Sequence, residues 1–331
     1  MSAKRKILPL FIPHLGCGHD CIFCNQKRIS GALKAVTAAE VGEALRTITE
    51  RDYELAFYGG SFTALPVEEQ RILLDAVQPY RAAGVVSEIR VSTRPDAIND
   101  TVLSLLREKG VGTVELGAQS MDDAVLRTCG RGHSAADTEK AAKLVRQRGF
   151  HLILQMMTGL PGSSDALDIE TAKRLIALHP DDVRIYPTVI LKDTPLAEAW
   201  ERGAYREHTV EDAVRVCAEI LPLFMAAGIP VIRLGLNPSD DLSAGNALAG
   251  AYHPALGELV QSRVYFNKVK SMLPAAHGDV LRVTVAAGER SKMIGQKRCN
   301  IAALQAQFGF CSVRVREDEN LRRGEIEIDT K

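Results

Sequence analysis

Residues 7–24 have the sequence ILPLFIPHLGCGHDCIFC, in which an apolar run leads into three closely spaced cysteines. The run at 7–13 is short, apolar and ends at a proline, a pattern typical of a buried β-strand. Cys17, Cys21 and Cys24 follow in a Cys-x3-Cys-x2-Cys spacing. A strand that leads directly into a cysteine-rich loop is therefore the first predicted element of the chain.

Short apolar runs alternate with longer amphipathic stretches as far as residue 234. They predict strands at 54–58, 85–92, 113–116, 151–157 and 182–187, each followed by a helical stretch, with 231–234 as one further candidate. Thr37, with Glu40 three residues later, has the spacing of a capping box at the start of the first helix. At least six consecutive β–α units favour parallel strands joined by right-handed crossovers. We therefore predict an α/β fold, a partial or closed (β/α) barrel of about six parallel strands.

The pattern changes after about residue 245. We predict a helix at 255–273, a strand at 280–286, a helix at 289–308 and strands near 311–316 and 325–328. Residues 1–245 are accordingly assigned to the barrel, and residues 246–331 to a small α+β C-terminal extension.

Composition excludes several classes of protein. The 331 residues include 41 basic and 41 acidic side chains, which argues against a strongly basic nucleic-acid coat protein and against an acidic disordered tail. No apolar run approaches the roughly 20 residues that cross a bilayer, and the run at 7–13 is too short for a signal peptide. Seven cysteines, an odd number, favour metal ligands or reactive thiols over a disulfide framework. We expect a cytoplasmic protein with no membrane partner.

The cysteine triplet is the most specific motif in the chain. Three thiolates can hold three irons of a 4Fe–4S cluster and leave the fourth iron open to a small ligand. The alternatives are a structural zinc site, with His14 or His19 as fourth ligand, and three packed thiols. A closed structural site has little reason to lie where parallel β/α folds bind ligands, so the cluster is favoured.

Unusual residues also follow the other predicted strands, at their carboxyl ends, where such folds bind ligands. These motifs together resemble the radical S-adenosylmethionine (SAM) superfamily, and in particular the radical-SAM domain of the Elongator catalytic subunit. The resemblance covers roughly residues 7–262. Besides the cysteine loop, it is carried by Tyr58-Gly-Gly-Ser-Phe-Thr63, Thr93-Arg-Pro-Asp96, Glu115-Leu-Gly-Ala-Gln-Ser120, Arg131-Gly-His133, Met157-Thr-Gly-Leu-Pro-Gly162, Ile185-Tyr-Pro187 and His253-Pro-Ala-Leu-Gly-Glu-Leu-Val260.

The resemblance implies two cofactors, a 4Fe–4S cluster and SAM. It implies that the cluster ligands are Cys17, Cys21 and Cys24. It also implies a glycine motif whose backbone receives the methionine amino group of SAM, formed here by Gly59, Gly60 and Ser61. Glycine suits this task because the backbone must approach the ligand closely.

Five further residues are carried over at single positions. Gln119 and Arg131 match positions that contact SAM in the related oxygen-independent coproporphyrinogen oxidases, and an arginine fork suits a carboxylate. Ser92 stands where those relatives often carry an acid directed toward the ribose, and we expect it at the cofactor site. Tyr186 and Lys192 follow the sixth strand and are the candidate catalytic residues, facing SAM or the substrate.

The implied reaction begins when a reduced cluster donates one electron to SAM, which yields methionine and a 5′-deoxyadenosyl radical that abstracts hydrogen from a substrate. The need for an electron predicts reduced ferredoxin or flavodoxin as a partner. The leading interpretation is a radical SAM enzyme that acts on tRNA or another RNA. The alternatives are the same chemistry on a small molecule, such as a porphyrin precursor, and a non-catalytic iron–sulfur or zinc protein that binds RNA.

The sequence departs from the Elongator subunit in two respects. Its cysteine spacing is tighter, and because the sequence ends at Lys331 we expect no acetyltransferase domain after the radical-SAM domain.

One C-terminal segment offers a separate lead to RNA. Residues 293–301, MIGQKRCNI, open a helix after a strand and are similar to the glycine loop of a KH RNA-binding module. Arg298 stands in place of the second glycine. Basic residues nearby, including Lys297, are offset by the acidic run at 317–319. RNA binding, a lid and an oligomer surface all remain open for this segment.

Overall fold

Seven parallel strands form the main sheet of the protein. The computed structural model describes residues 6–12, 17–25, 36–237, 245–274 and 278–330. The strands are β1 (Ile7–Ile12), β2 (Tyr53–Gly59), β3 (Val86–Thr93), β4 (Thr113–Gln119), β5 (His151–Thr158), β6 (Asp182–Pro187) and β8 (Val231–Leu234). Their order in the sheet is β1-β2-β3-β4-β5-β6-β8. The sheet curls into a half-barrel. The predicted α/β barrel is confirmed as a partial one, because β1 and β8 do not pair with each other among the described residues.

Helices connect the strands and cover one face of the sheet. They are α1 (Ala38–Arg46), α2 (Val67–Asp75), α3 (Gln78–Ala82), α4 (Asp100–Glu108), α5 (Asp123–Thr128), α6 (Ala135–Gln147), α7 (Asp165–Ala177), α8 (Pro195–Glu201) and α9 (Val210–Ala226). The predicted capping box of Thr37 and Glu40 is present. The helical stretch predicted after β2 is divided into α2 and α3, because Pro79 in the first turn of α3 has no N–H to bond back to the preceding turn. None of the described helices has the length and apolar character needed to cross a membrane.

Side chains along the strands alternate between two faces, as the two-residue period of a strand requires. Leu55 and Leu116 belong to a large buried core shared with the helices. Their neighbours Glu54 and Glu115 point the opposite way, into the interior of the half-barrel, where buried arginines meet them. The interior of the half-barrel is therefore polar, although most residues of the strands are apolar.

A short antiparallel ribbon and a second sheet complete the fold. The ribbon pairs β7 (Val189–Leu191) with β9 (Ala247–Gly250), and it was not predicted. The C-terminal elements are α10 (Leu256–Met272), β10 (Val280–Ala286), α11 (Arg290–Ile294), α12 (Cys299–Phe308), β11 (Ser312–Asp318) and β12 (Ile326–Thr330). Their sheet has the order β11-β10-β12, with β11 parallel and β12 antiparallel to β10. The helix predicted at 289–308 is interrupted at 295–298, where Gly295, Lys297 and Arg298 have positive φ angles of 76°, 51° and 62°.

Helix α10 contributes to two hydrophobic cores. Leu256 and Val260, in its first half, lie in the core of the half-barrel. Tyr265 and Val269, in its second half, lie in a separate core beneath the C-terminal sheet. The division of the chain at residue 245 stays a prediction, with one helix in contact with both cores.

Candidate functional site

A cavity at the carboxyl ends of the central strands brings together nine of the eleven predicted site residues. These are Cys17, Cys21, Cys24, Gly59, Gly60, Ser61, Ser92, Gln119 and Arg131. Tyr186 and Lys192 are not among the lining residues. The position of the cavity follows from the parallel sheet, because every loop after a strand emerges at the same edge.

The described part of the cysteine loop is tied to the barrel by its backbone. Ile22 N–H donates to the carbonyl of Cys129 at 3.2 Å, and Leu196 N–H donates to the carbonyl of Ile22 at 2.9 Å. The side chain of Asn25 donates to the carbonyl of Lys192 at 3.1 Å. The loop is thus held between α5 and the segment that follows β7.

The three thiols are half-buried and none is in a disulfide. Arg131 Nη1 lies 3.1 Å from the sulfur of Cys21, so a cation contacts one of the three candidate iron ligands directly. Burial, reinforced by the neighbouring Cys21, raises the pKa of the Cys17 thiol, and the cations Arg94 and Arg131 lower it in part. A partly enclosed site that contains two arginines therefore surrounds the thiols.

The three thiols match in number the three thiolate ligands of an iron–sulfur cluster that leaves one iron open. No three Cys, His, Asp or Glu side chains among the described residues lie close enough together to hold one ion. An iron–sulfur cluster does not require three side chains around one ion, because each thiolate binds a different iron. His14, a candidate fourth ligand for zinc, lies outside the described residues, and His19 lines the same cavity.

The glycine turn after β2 exposes its backbone to the cavity. Gly59 has a φ of 103°, a conformation that side chains disfavour. The hydroxyl of Ser61 is buried and turned away, 2.8 Å from the hydroxyl of Thr93, and it accepts a hydrogen bond from Arg94 N–H at 3.2 Å. Ser61 thus links the loops after β2 and β3, and Gly59 and Gly60 leave the backbone accessible.

Gln119 lines the cavity at an irregularity in β4. By the two-residue period of the strand it lies on the same face as Glu115 and Gly117, which is the interior face. The register against β5 shifts between Gly117 and Gln119, and Gln119 has a φ of 65°, so the strand is bulged where this side chain meets the cavity. Arg131 Nη2 donates to the carbonyl of Gly117 at 2.6 Å. A Cβ on Gly117 would lie 3.0 Å from Gln119 Nε2 and 3.3 Å from Arg131 Nη2, so glycine leaves room for both side chains.

Two buried polar atoms of this pair have no hydrogen-bond partner among the described residues: Gln119 Oε1, an acceptor, and Arg131 Nε, a donor. An unpaired buried polar group costs about 1–3 kcal/mol. A ligand that carries both a positive amino group and a carboxylate, such as the amino-acid end of SAM, would satisfy both atoms.

The two candidate catalytic residues lie elsewhere. Tyr186 is half-buried in the interior of the half-barrel, where its hydroxyl accepts a hydrogen bond from Arg184 Nη1 at 3.2 Å. Lys192 is exposed, and its backbone carbonyl is the group that anchors Asn25. The contact with Asn25 is therefore made by the backbone of Lys192 and not by its side chain.

Several residues near the cavity were not predicted as site residues, although Arg94 and Glu115 lie within motifs that carry the resemblance. Arg94 donates through Nη2 to the carbonyl of Arg131 at 3.1 Å and pairs with Asp96 at 2.6 Å, which fixes the loop after β3. Glu115 and Arg184 meet in the interior at 3.3 Å. The signal that would have found the interior pair is a charged residue in the middle of an apolar strand.

Comparisons with known proteins agree with this geometry. The family model described as the Radical SAM superfamily matches residues 11–176, half of the chain, and a Radical_SAM C-terminal domain matches residues 180–265. A protein named tRNA uridine(34) acetyltransferase from Methanocaldococcus infernus is 30% identical over 227 residues, which cover 62% of this chain and 42% of that protein. Elongator complex protein 3 of Homo sapiens is 28% identical over 231 residues, which cover 64% of this chain and 41% of that protein. The chain spans less than half the length of these relatives.

A solved structure shows the same relationship. The archaeal Methanocaldococcus infernus Elp3 with an N-terminal deletion has a TM-score of 0.60 and 26% identity, over 81% of this chain and 64% of that chain. The predicted resemblance to the Elongator catalytic subunit is confirmed. Radical SAM proteins are enzymes that use a 4Fe–4S cluster and SAM. By its fold and by the family match along half of its length, the chain belongs to the radical SAM superfamily.

Proposed function

We propose that this enzyme holds a 4Fe–4S cluster on Cys17, Cys21 and Cys24 and binds SAM across the cavity that they share with Gly59 and Arg131. The observation that carries the proposal is the meeting of three thiols, a glycine turn and two unpaired buried polar atoms in one cavity. When bound together, a reduced cluster and SAM supply a 5′-deoxyadenosyl radical by one-electron cleavage of the sulfonium bond.

The residues of the chain have distinct tasks in this proposal. Arg131 places one terminal nitrogen on the Cys21 sulfur and keeps Nε free for a carboxylate. Gln119 offers its unpaired oxygen to an amino group. The backbone at Gly59 and Gly60 accommodates a close ligand, and Ser92 lines the same cavity. Reduced ferredoxin or flavodoxin is the proposed electron donor, because the chemistry requires one electron per turnover.

The test is the formation of 5′-deoxyadenosine from SAM by the anaerobically reconstituted and reduced full chain. We expect Cys17→Ala to abolish the product, because one iron loses its ligand. Cys311→Ala is the matched control, since Cys311 is exposed in the C-terminal extension and outside the cavity. A Cys17→Ala protein that still makes the product would contradict the assignment.

We further propose RNA as the substrate class, with a tRNA uridine as the reacting nucleoside. The support is the relative named for tRNA uridine(34), which is 30% identical to this chain. The fold match to the archaeal Elp3 structure, over 81% of this chain, adds to it.

The C-terminal extension supplies a candidate contact for that RNA. The residues 295–298 connect α11 to α12, between the parallel strands β10 and β11, in the position of the loop that clamps the backbone in a KH module. Lys297 and Arg298 are exposed, and neither has an ion pair with another described residue. Binding of labelled tRNA at increasing salt concentrations tests this contact, because phosphate contacts weaken with salt.

A further inference from the structure

The interior of the half-barrel holds a connected set of side chains next to the cofactor cavity. Gln155 lines the cavity, and its amide donates to Glu115 Oε1. Glu115 is fully buried, and its second oxygen lies 3.3 Å from Arg184 Nε. The set therefore runs from the cavity wall on β5, through β4, to β6.

Arg184 holds two tyrosines with the remaining nitrogens of its guanidinium. Nη1 donates to the hydroxyl of Tyr186 at 3.2 Å, and Nη2 donates to the hydroxyl of Tyr58 at 2.8 Å. The guanidinium carbon lies 5.4 Å from the centre of the Tyr58 ring. Both phenols are thus positioned by one planar group, which forms an ion pair with Glu115.

Each phenol still has a hydrogen to donate. A hydroxyl that accepts a hydrogen bond retains its own O–H, and neither tyrosine donates to another residue in the part of the chain that the structure describes. Both side chains are half-buried rather than enclosed. Burial is the main cause that raises the pKa of Tyr58 and of Tyr186, so both remain protonated donors near neutral pH.

The free donors of this set are the two neutral phenols. Arg90 pairs with Glu54 and lies 3.6 Å from Glu115, which also faces Arg184. Arg233 on β8 is the register partner of Arg184, so this face of the sheet carries a third arginine. A neutral acceptor needs only a hydrogen-bond donor, which each phenol supplies, and the phenols carry no charge to offset an anion.

We propose that Tyr58 and Tyr186 recognise the substrate by donating hydrogen bonds to a neutral carbonyl group, such as those of a uracil base. Arg184 is a positioning residue that directs the two phenols, and Glu115 holds Arg184. The inference rests on the proposed function, of which it defines the substrate-recognition residues.

The test compares two anticodon stem–loop RNAs, one with uridine at position 34 and one with adenosine there, because adenine has no carbonyl group. Dissociation constants are measured with the reconstituted full chain in the presence of SAM. We expect the wild type to prefer the uridine RNA, and Tyr58→Phe and Tyr186→Phe each to reduce that preference about 2- to 12-fold, the loss of one neutral hydrogen bond. Arg184→Lys, which keeps the charge and loses the fork, should reduce it as well.

The matched control is Tyr80→Phe, which removes a phenol that donates to Gly42 on α1, outside the site. This variant should keep the wild-type preference. The inference fails if both site variants keep the preference, if the wild type has none, or if coproporphyrinogen binds more tightly than either RNA. It also fails if SAM affinity, measured by equilibrium dialysis, falls while RNA preference does not.

Failure of the proposed function gives a different result. In that case the wild type forms no Cys17-dependent 5′-deoxyadenosine with any RNA. The comparison of dissociation constants still tests the tyrosines, because binding requires no turnover.

Discussion

Adding a single methyl group at Gly117 should lower the affinity for SAM more than it lowers the stability of the protein. In Gly117→Ala the new Cβ would crowd Gln119 Nε2 at 3.0 Å and Arg131 Nη2 at 3.3 Å, so both side chains must move. We expect SAM affinity to fall about ten-fold or more, because small displacements of positioning groups are costly. Equilibrium dialysis measures the affinity, and urea unfolding the stability.

Gly42→Ala is the control for that substitution. Gly42 lies inside α1, and its added Cβ would meet no atom closer than 3.8 Å. This variant should bind SAM normally and gain about 0.5–1 kcal/mol of stability, because alanine favours a helix. Normal SAM binding by Gly117→Ala would show that Gln119 and Arg131 do not contact the cofactor.

His133 makes the stability of the protein depend on pH. Burial and, secondarily, the Arg131 cation lower its pKa to about 4 from an ordinary 6.5, and its Nε2 lies 3.3 Å from the carbonyl of Ala118. Between these values the unfolded chain binds a proton that the folded chain does not. The stabilisation is therefore complete above pH 6.5 and is lost as the pH falls toward 4, by about 2 kcal/mol at pH 5.

Urea unfolding at pH 7 and pH 5 measures this difference, with His133→Gln as the comparison. The variant should lose less stability than the wild type between the two pH values, by about 2 kcal/mol. An equal loss in both proteins would mean that His133 is protonated in the folded state.

At the level of elements, the loop between α11 and α12 combines strain with charge. Arg298 has a φ of 62°, a conformation that costs a residue other than glycine about 1–2 kcal/mol. Arg298→Gly should therefore leave the protein as stable or up to about 1 kcal/mol more stable, after the entropy of the unfolded glycine is counted. If Arg298 contacts a phosphate, tRNA affinity should nevertheless fall, and the salt dependence should decrease by about one charge.

Lys140→Ala is the control for charge, because Lys140 is exposed on α6, outside the C-terminal extension. It should leave both tRNA affinity and its salt dependence unchanged. An unchanged salt dependence in Arg298→Gly would remove the loop from the RNA interface.

The elements that were predicted correctly are those whose pattern is local. The parallel strands follow from their apolar runs, and the cavity follows from the loops at their ends. The β7–β9 ribbon was missed because its strands are very short and distant in sequence. The break at 295–298 was missed because nothing local marks Lys297 and Arg298 as left-handed.

The interior pairs show a further limit of prediction. Arg184 meets Glu115 only because β4, β5 and β6 have one particular register. A single sequence does not specify register between distant strands. The sequence shows that these strands contain charged residues, but it does not show which of them form ion pairs.

At the scale of the whole molecule, helix α10 should make unfolding a single event. Val260 and Val269 are both fully buried, the first in the half-barrel core and the second in the C-terminal core. We expect Val260→Ala and Val269→Ala each to lower the midpoint of one common transition, at a cost of about 2 kcal/mol. Calorimetry checks this, because one transition requires equal calorimetric and van't Hoff enthalpies. A second transition, shifted by Val269→Ala alone, would show two independent units.

The shared helix also limits how such a chain can be rearranged by recombination. A junction placed before α10 would separate the half-barrel from Leu256 and Val260, and a junction placed after it would separate the C-terminal sheet from Tyr265 and Val269. Either junction leaves a donor fragment with an incomplete core. We therefore expect that a recombination which preserves folding transfers both sheets together with the helix between them.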